Sequence, residues 1–218
     1  MKGLLIKDCK LLLQQKKFLI MLVLCAGFLM FNTEDSTFLI GYATILMGIF
    51  VMGTISYDEF DNGYPFLFSL PISRRDYVLS KYVLCIASTL SAGIVATVLS
   101  VLLGNLGAES ANLGDSIMAG MIIIAVCTMI IVIYIPVMVK YGSEKSKIAM
   151  FVLAAVVGGI GVICTKLQEF LSMDMTPLAS ALSNLGNAGL TLLAVAGCVV
   201  MTGISFGICV RIVMKKEF

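Results

Sequence analysis

The sequence predicts an all-α, polytopic membrane protein: one bundle of six transmembrane helices preceded by an interfacial helix. Three observations predict it. The chain has 218 residues, of which 60% are hydrophobic and only 13% charged, about half the charged share of an ordinary soluble domain. Long charge-free runs alternate with short polar segments, the signature of repeated membrane crossings. The basic residues also sort to one side. With six spans and the N-terminus inside, every one of the 15 Lys and Arg residues except Lys166 falls on the inner side, a strong positive-inside bias. The acidic residues divide almost evenly, as expected if they contribute little to orientation.

Residues 1–16 open the chain with "MKGLLIKDCKLLLQQK". Leu4, Cys9 or Leu11, and Leu12 recur at helical spacing, and Lys7, Asp8 and Lys10 fill the remaining arc. That pattern suits a helix lying in the inner membrane interface. A first span follows at about 17–31, a tight turn at 32–36, and a second span at about 37–56. The first apolar run is one of several rather than a leader ahead of a soluble domain.

Residues 57–77 join the second and third spans on the inner side. After Asp58, Glu59, Phe60 and Asp61 comes Gly63, then the aromatic patch Tyr64, Pro65, Phe66 and Phe68. Ser73 is placed as an N-cap, with Asp76 three residues later as a variant capping box, so the third helix is expected to begin near Arg74. The third span runs over about 78–104. A short polar loop at 105–116 leads to the fourth span, about 117–139, where Pro136 is a candidate kink. The fifth span, about 148–164, holds "AAVVGGIGVI". A longer semi-apolar outer segment, 165–187, reads as short helices dipping into the outer interface and broken at Pro177. The sixth span occupies about 188–210. The whole chain is one transmembrane domain.

Several functions are excluded by what is missing. A net charge of +2 gives no footprint for nucleic acid. There is no histidine, hence neither the usual general base nor the commonest transition-metal ligand. The seven cysteines form no CxxC pair and read as small buried hydrophobes. "GISFG" at 203–207 has the GxSxG spacing, but it sits in an apolar helix without a base. It reads better as GxxxG, a flat face for a neighbouring helix. No GxxxxGK[ST] loop is present. No catalytic residue, metal ligand or cofactor site is assigned to this chain. No charged residue lies in the middle of a span, which argues against ion-coupled transport. Ser88, Thr89, Ser91, Thr97 and Thr128 are polar groups in apolar helices, each able to bond its own backbone.

The acidic-aromatic segment is the most distinctive part of the chain. An apolar centre with a charged rim suits docking on a soluble partner. Aromatics at headgroup level in an ordinary belt would account for the same residues.

The N-terminal "MKGLLIKDCKLL", the six-span hydropathy pattern, "YDEFDNGYPFLFSLPISRRDYVLSKY" and the longer outer segment before the last span together resemble permease subunits of the ABC-2 transporter family. The similarity is greatest to small permeases of Gram-positive bacteria that export phenol-soluble modulins or antimicrobial peptides, or confer bacteriocin self-protection. This resemblance implies a type V exporter-like permease fold in the bacterial cytoplasmic membrane with both termini cytoplasmic. It implies two copies of a separate P-loop ATPase, which would bind ATP and Mg, and a second permease copy in a 2+2 complex. The cargo implied is an amphipathic peptide or a lipid-like molecule. It further implies that Asp58, Glu59, Phe60, Tyr64, Phe66, Phe68, Pro71, Arg74, Arg75 and Asp76 couple the permease to the ATPase. Two other functions fit the same residues: a stand-alone membrane immunity or scaffold protein, and, less well, a secondary transporter.

Overall fold

A computed structural model describes residues 2–32, 36–59, 63–69, 71–104, 113–171 and 186–216. All regular structure among them is helical: α1 Lys2–Gln14, α2 Lys16–Asn32, α3 Ser36–Glu59, α4 Gly63–Ser69, α5 Arg74–Gly104, α6 Leu113–Leu171 and α7 Gly186–Lys215. The turn after α2, the loop at 105–112 and the outer segment around Pro177 lie outside the described residues.

Helix lengths follow from what each must cross. At 1.5 Å per residue the 31 residues of α5 reach about 46 Å, well beyond the roughly 30 Å of hydrocarbon. Its first turns therefore project past the apolar layer, where the charges are. By contrast, the 17 residues of α2 reach only about 25 Å. The chain bends by 64° between α1 and α2.

Four stretches among the described residues are long and apolar enough to cross a membrane: Phe38–Glu59, Arg74–Leu102, Ile117–Gly142 and Gly189–Lys215. A fifth exists if the elbowed α1–α2 pair counts as one span. The protein is thus a multi-pass, all-α membrane protein.

The start of α5 matches the local signal in the sequence. Ser73 Oγ accepts the Asp76 N–H at 3.1 Å, and Asp76 places a negative charge in the first turn, where the helix dipole favours it. The break in α6 falls elsewhere than Pro136, which stays within the helix. Gly142 adopts φ 80° and ψ 173°, a region essentially restricted to glycine. A side chain there would also run into the Glu59 carboxylate.

The helices α3, α5, α6 and α7 pack on one another, and α1 and α4 attach to one end of that group. The larger apolar core lies toward that end. It joins Val51 and Ile55 of α3, Tyr77, Val78 and Tyr82 of α5, Val132 and Ile135 of α6, and Cys209 and Val213 of α7 to Leu4, Tyr64 and Leu67. A smaller cluster of Ile40, Ala43, Ala96 and Ile124 sits further along. There α5 and α6 approach so closely that a Cβ on Gly93 would lie 2.5 Å from Ile124 Cγ1.

The GxxxG face behaves differently from its expectation within this chain. Gly203 and Gly207 are exposed, with no atom within 4 Å of where a Cβ would stand. Ser205 between them points inward. Its Oγ donates to the Val132 carbonyl at 2.7 Å and lies 2.6 Å from the Tyr82 hydroxyl, tying α7 to α6 and α5.

Candidate functional site

Between α3 and α5, helix α4 starts at Gly63, close against the end of α3. Gly63 comes so near the Asp58 carbonyl that a Cβ would lie 2.6 Å from that oxygen, so this position needs glycine. Within α4, Tyr64 and Leu67 are buried while Pro65, Phe66 and Ser69 face outward. Three-residue spacing puts the first two on one face. Phe66 is 73% exposed.

The inner face of α4 is clamped. Tyr64 meets Tyr77 edge-on, with centroids 6.1 Å apart, and the Lys216 ammonium stands 5.3 Å over the Tyr64 ring. Burial, reinforced by the nearby Glu59 and Asp58 charges and opposed by a hydrogen bond with Tyr77, pushes the Tyr64 phenol up to about 12. It is neutral at physiological pH.

Beneath α4 lies a buried cluster of four charges drawn from three helices. Lys81 Nζ of α5 sits 2.7 Å from Asp8 Oδ2 of α1 and 2.6 Å from Asp58 Oδ2 of α3. Its third donor position reaches Thr54 Oγ1 at 3.2 Å. Lys7 pairs with Asp58 and stands 3.3 Å from Asp8 Oδ1, an oxygen with no other hydrogen-bond partner. The Tyr77 hydroxyl donates to Asp58 Oδ2 at 3.3 Å. Asp8, Asp58 and Lys81 are buried, whereas the Lys7 side chain is 37% exposed. Burial alone would lower the Lys7 pKa, but its bond to Asp58 and the charges of Asp58 and Asp8 hold it above the ordinary lysine value.

Two positive and two negative charges leave the cluster neutral, the condition under which buried ions are tolerated. Its charges are committed to one another, and only Asp8 Oδ1 among its described buried oxygens keeps an unfilled acceptor position. Its physical effect is to fix α1, α3 and α5 in one register.

Two further ties close this end. Arg74 Nη1 donates to the carbonyls of Val213, Met214 and Lys216 at 3.0, 2.9 and 3.2 Å, satisfying oxygens that the end of α7 leaves unpaired. Lys216 Nζ donates to the Val139 carbonyl at 3.2 Å, just before the break in α6.

The ten residues that the sequence singles out therefore divide. Asp58 and Tyr64 turn inward; Phe66, Pro71 and Arg75 are exposed. Glu59, Arg74 and Asp76 are half-buried. Phe60 and the side chain of Phe68 lie outside the described residues. Asp8 corrects the expected polar arc of α1: it is fully buried, and Cys9 and the large apolar residues Ile6 and Leu13 are exposed instead. The physical reason is the pairing of Asp8 with the buried Lys81 ammonium, which together with Lys7 and Asp58 balances the cluster. Lys7, Asp8, Lys81, Tyr77, Lys216 and Gly142 were missed as site residues. The only local signal was a lysine four residues after a tyrosine at the start of an apolar run.

The described residues thus form a multi-pass helical bundle with a small helix pinned across one end that exposes Phe66. The chain belongs to the ABC-2 transporter family: the family model described as "ABC-2 family transporter protein" matches residues 3–214. No curated protein and no solved structure matches it. As a member of this family the chain is a non-catalytic transmembrane permease subunit, of the kind that pairs with P-loop ATPase subunits.

Proposed function

We propose that this chain is the permease of an ATP-driven exporter and that α4 with the Pro71–Asp76 approach to α5 is its coupling element. The observation that carries this reading is the two-faced construction of α4. Phe66 is 73% exposed while Tyr64 and Leu67 lock the opposite face into the bundle core. A push on Phe66 would be transmitted through Tyr64 and Tyr77 to α5, and through Asp58 and Lys81 to α1 and α3. Glu59, Arg74 and Asp76 would serve by holding the frame; Phe66, Pro71 and Arg75 would touch the ATPase. Phe60 and Phe68 are included in the same surface on the sequence alone.

In the full proposal six spans cross the bacterial cytoplasmic membrane, at the boundaries the hydropathy pattern suggests, with both termini and the charged end in the cytoplasm. Residues 165–187 cap the outer side. Two permeases and two ATPases form the working unit. The cargo is an amphipathic peptide or a lipid-like molecule, in keeping with spans that lack mid-membrane charge.

The test is co-purification of the tagged permease with its ATPase under gentle extraction. Phe66→Ala and Arg75→Glu should each leave membrane insertion intact and weaken ATPase retention, Phe66→Ala by about thirtyfold as for a central aromatic anchor. Undiminished retention in both variants would remove α4 from the coupling role.

A further inference from the structure

We propose that the recess inside the α1–α2 elbow binds an anionic phospholipid. The placement of its headgroup in the cytoplasmic leaflet rests on the orientation proposed above. The recess has a volume of about 610 Å³ and lies between the start of α2 and the last turns of α3, within the size range of built small-molecule sites. Its construction is two-part. Phe18 and Phe50 stack with centroids 4.6 Å apart and planes 8° from parallel, and with Ile49 and Gly53 they form an apolar wall. Gln15, Ser56 and Tyr57 form a polar rim. A molecule that fits must carry a hydrocarbon tail and a hydrogen-bonding head at the level of the elbow.

Charge selects among such molecules. Lys16 and Lys17 follow Gln15 at the elbow and are exposed. Neither elbow lysine forms an ion pair with a carboxylate of the described residues, unlike Lys7 and Lys81. The acid nearest the rim in sequence, Asp58, is already held by both paired lysines. Unmatched cations at the membrane surface attract anionic headgroups, and the apolar wall below accepts an acyl chain. A zwitterionic lipid would satisfy the wall but bring its own cation with its phosphate, and so no net negative charge for the lysines.

Gly53 provides a test that spares the fold. No atom lies within 4 Å of where its Cβ would stand, so a side chain can start from this wall position of the recess, and leucine favours the helix over glycine. The experiment is native mass spectrometry of the purified permease without its ATPase, titrated with phosphatidylglycerol or phosphatidylcholine. Wild type should retain phosphatidylglycerol at least about tenfold more tightly than phosphatidylcholine. Lys16→Gln with Lys17→Gln should erase that preference, and Gly53→Leu should weaken both lipids.

Equal binding of the two lipids by wild type would overturn the proposal. So would a lysine-dependent preference that Gly53→Leu leaves untouched, since it would mark diffuse surface attraction rather than a site. If Gly53→Leu splits a wild-type dimer, the recess is a subunit interface and the lipid assignment falls. Because the measurement needs no ATPase, its failure is separate from failure of the coupling proposal.

Discussion

The two ends of the bundle are held together by different physics. At the end carrying α1 and α4, side-chain polar groups reach across helices: Lys81 to Asp8 and Asp58, Arg74 to the last carbonyls of α7, Ser205 to Val132 and Tyr82. Further along α5 and α6, hydroxyls turn back on their own helices. Thr89, Thr97 and Thr128 donate to Cys85, Gly93 and Ile124, which leaves mainly apolar packing between neighbours, beside a weak contact from the Cys127 thiol to the Gly41 carbonyl at 4.0 Å. There α7 stands off from the closely packed α5 and α6 around a cavity of about 450 Å³ lined by Leu90, Ile94, Met121 and Val199 among others. Apolar packing alone gives helices little preference over lipid. The charged end is thus held by specific polar ties between helices, while the apolar end relies on packing that is tight between α5 and α6 and open toward α7. In the exporter proposed above, the ATPase would act on the first end and the path would open at the second.

The strongest way to break the comparison is at Lys81. Replacing it with Met strands the buried carboxylates of Asp8 and Asp58, and removing one partner of a buried ion cluster costs about 3 to 5 kcal/mol. Thermal unfolding in detergent should show a large loss, with α1 becoming accessible to protease. Adding Asp8→Asn and Asp58→Asn to the same variant should recover most of it, because a neutral core no longer has an uncompensated charge. If Lys81→Met alone is tolerated, the cluster is not what fixes this end.

Next in size is the break in α6. Gly142→Ala forces a side chain into a backbone region that excludes it, at about 1 to 3 kcal/mol, and pushes against the Glu59 carboxylate. Pro136→Ala should leave the break in place, since the non-helical residue is Gly142. Cysteine cross-linking between the two arms of α6 would read the geometry directly. A changed cross-linking pattern for Pro136→Ala with none for Gly142→Ala would reverse this assignment.

What could be read in advance follows the range of each interaction. The Ser73–Asp76 cap was legible because its donor and acceptor are three residues apart and the chemistry is local. The tendency of Ser88, Thr89, Ser91, Thr97 and Thr128 to bond their own helices was legible for the same reason. The Lys81–Asp8 pair spans 73 residues, and nothing near Asp8 distinguishes it from a solvated acid among lysines. Proline at 136 carried the stronger local signal for a kink, yet a proline can stay within a helix when its surroundings satisfy the freed carbonyl, whereas a positive φ at Gly142 leaves no such choice. In "GISFG" the glycines drew attention to a packing face, but the tie to the rest of the bundle is made by the serine between them.

The smallest predicted effects sharpen the same contrast with one hydroxyl at each end. Ser205→Ala removes an interhelical link that joins α7 to both α5 and α6, and leaves the buried Tyr82 hydroxyl without that partner. The expected loss is about 1 kcal/mol. Thr128→Val removes a hydroxyl of similar burial whose bond is to its own helix, and the isosteric methyl keeps the packing. Its effect should stay within about 0.5 kcal/mol. Both are read by the same unfolding assay, and the difference between them is the informative quantity. A larger loss at Thr128 than at Ser205 would mean that the apolar end depends on its hydroxyls after all, and that the two ends are not held together by different physics.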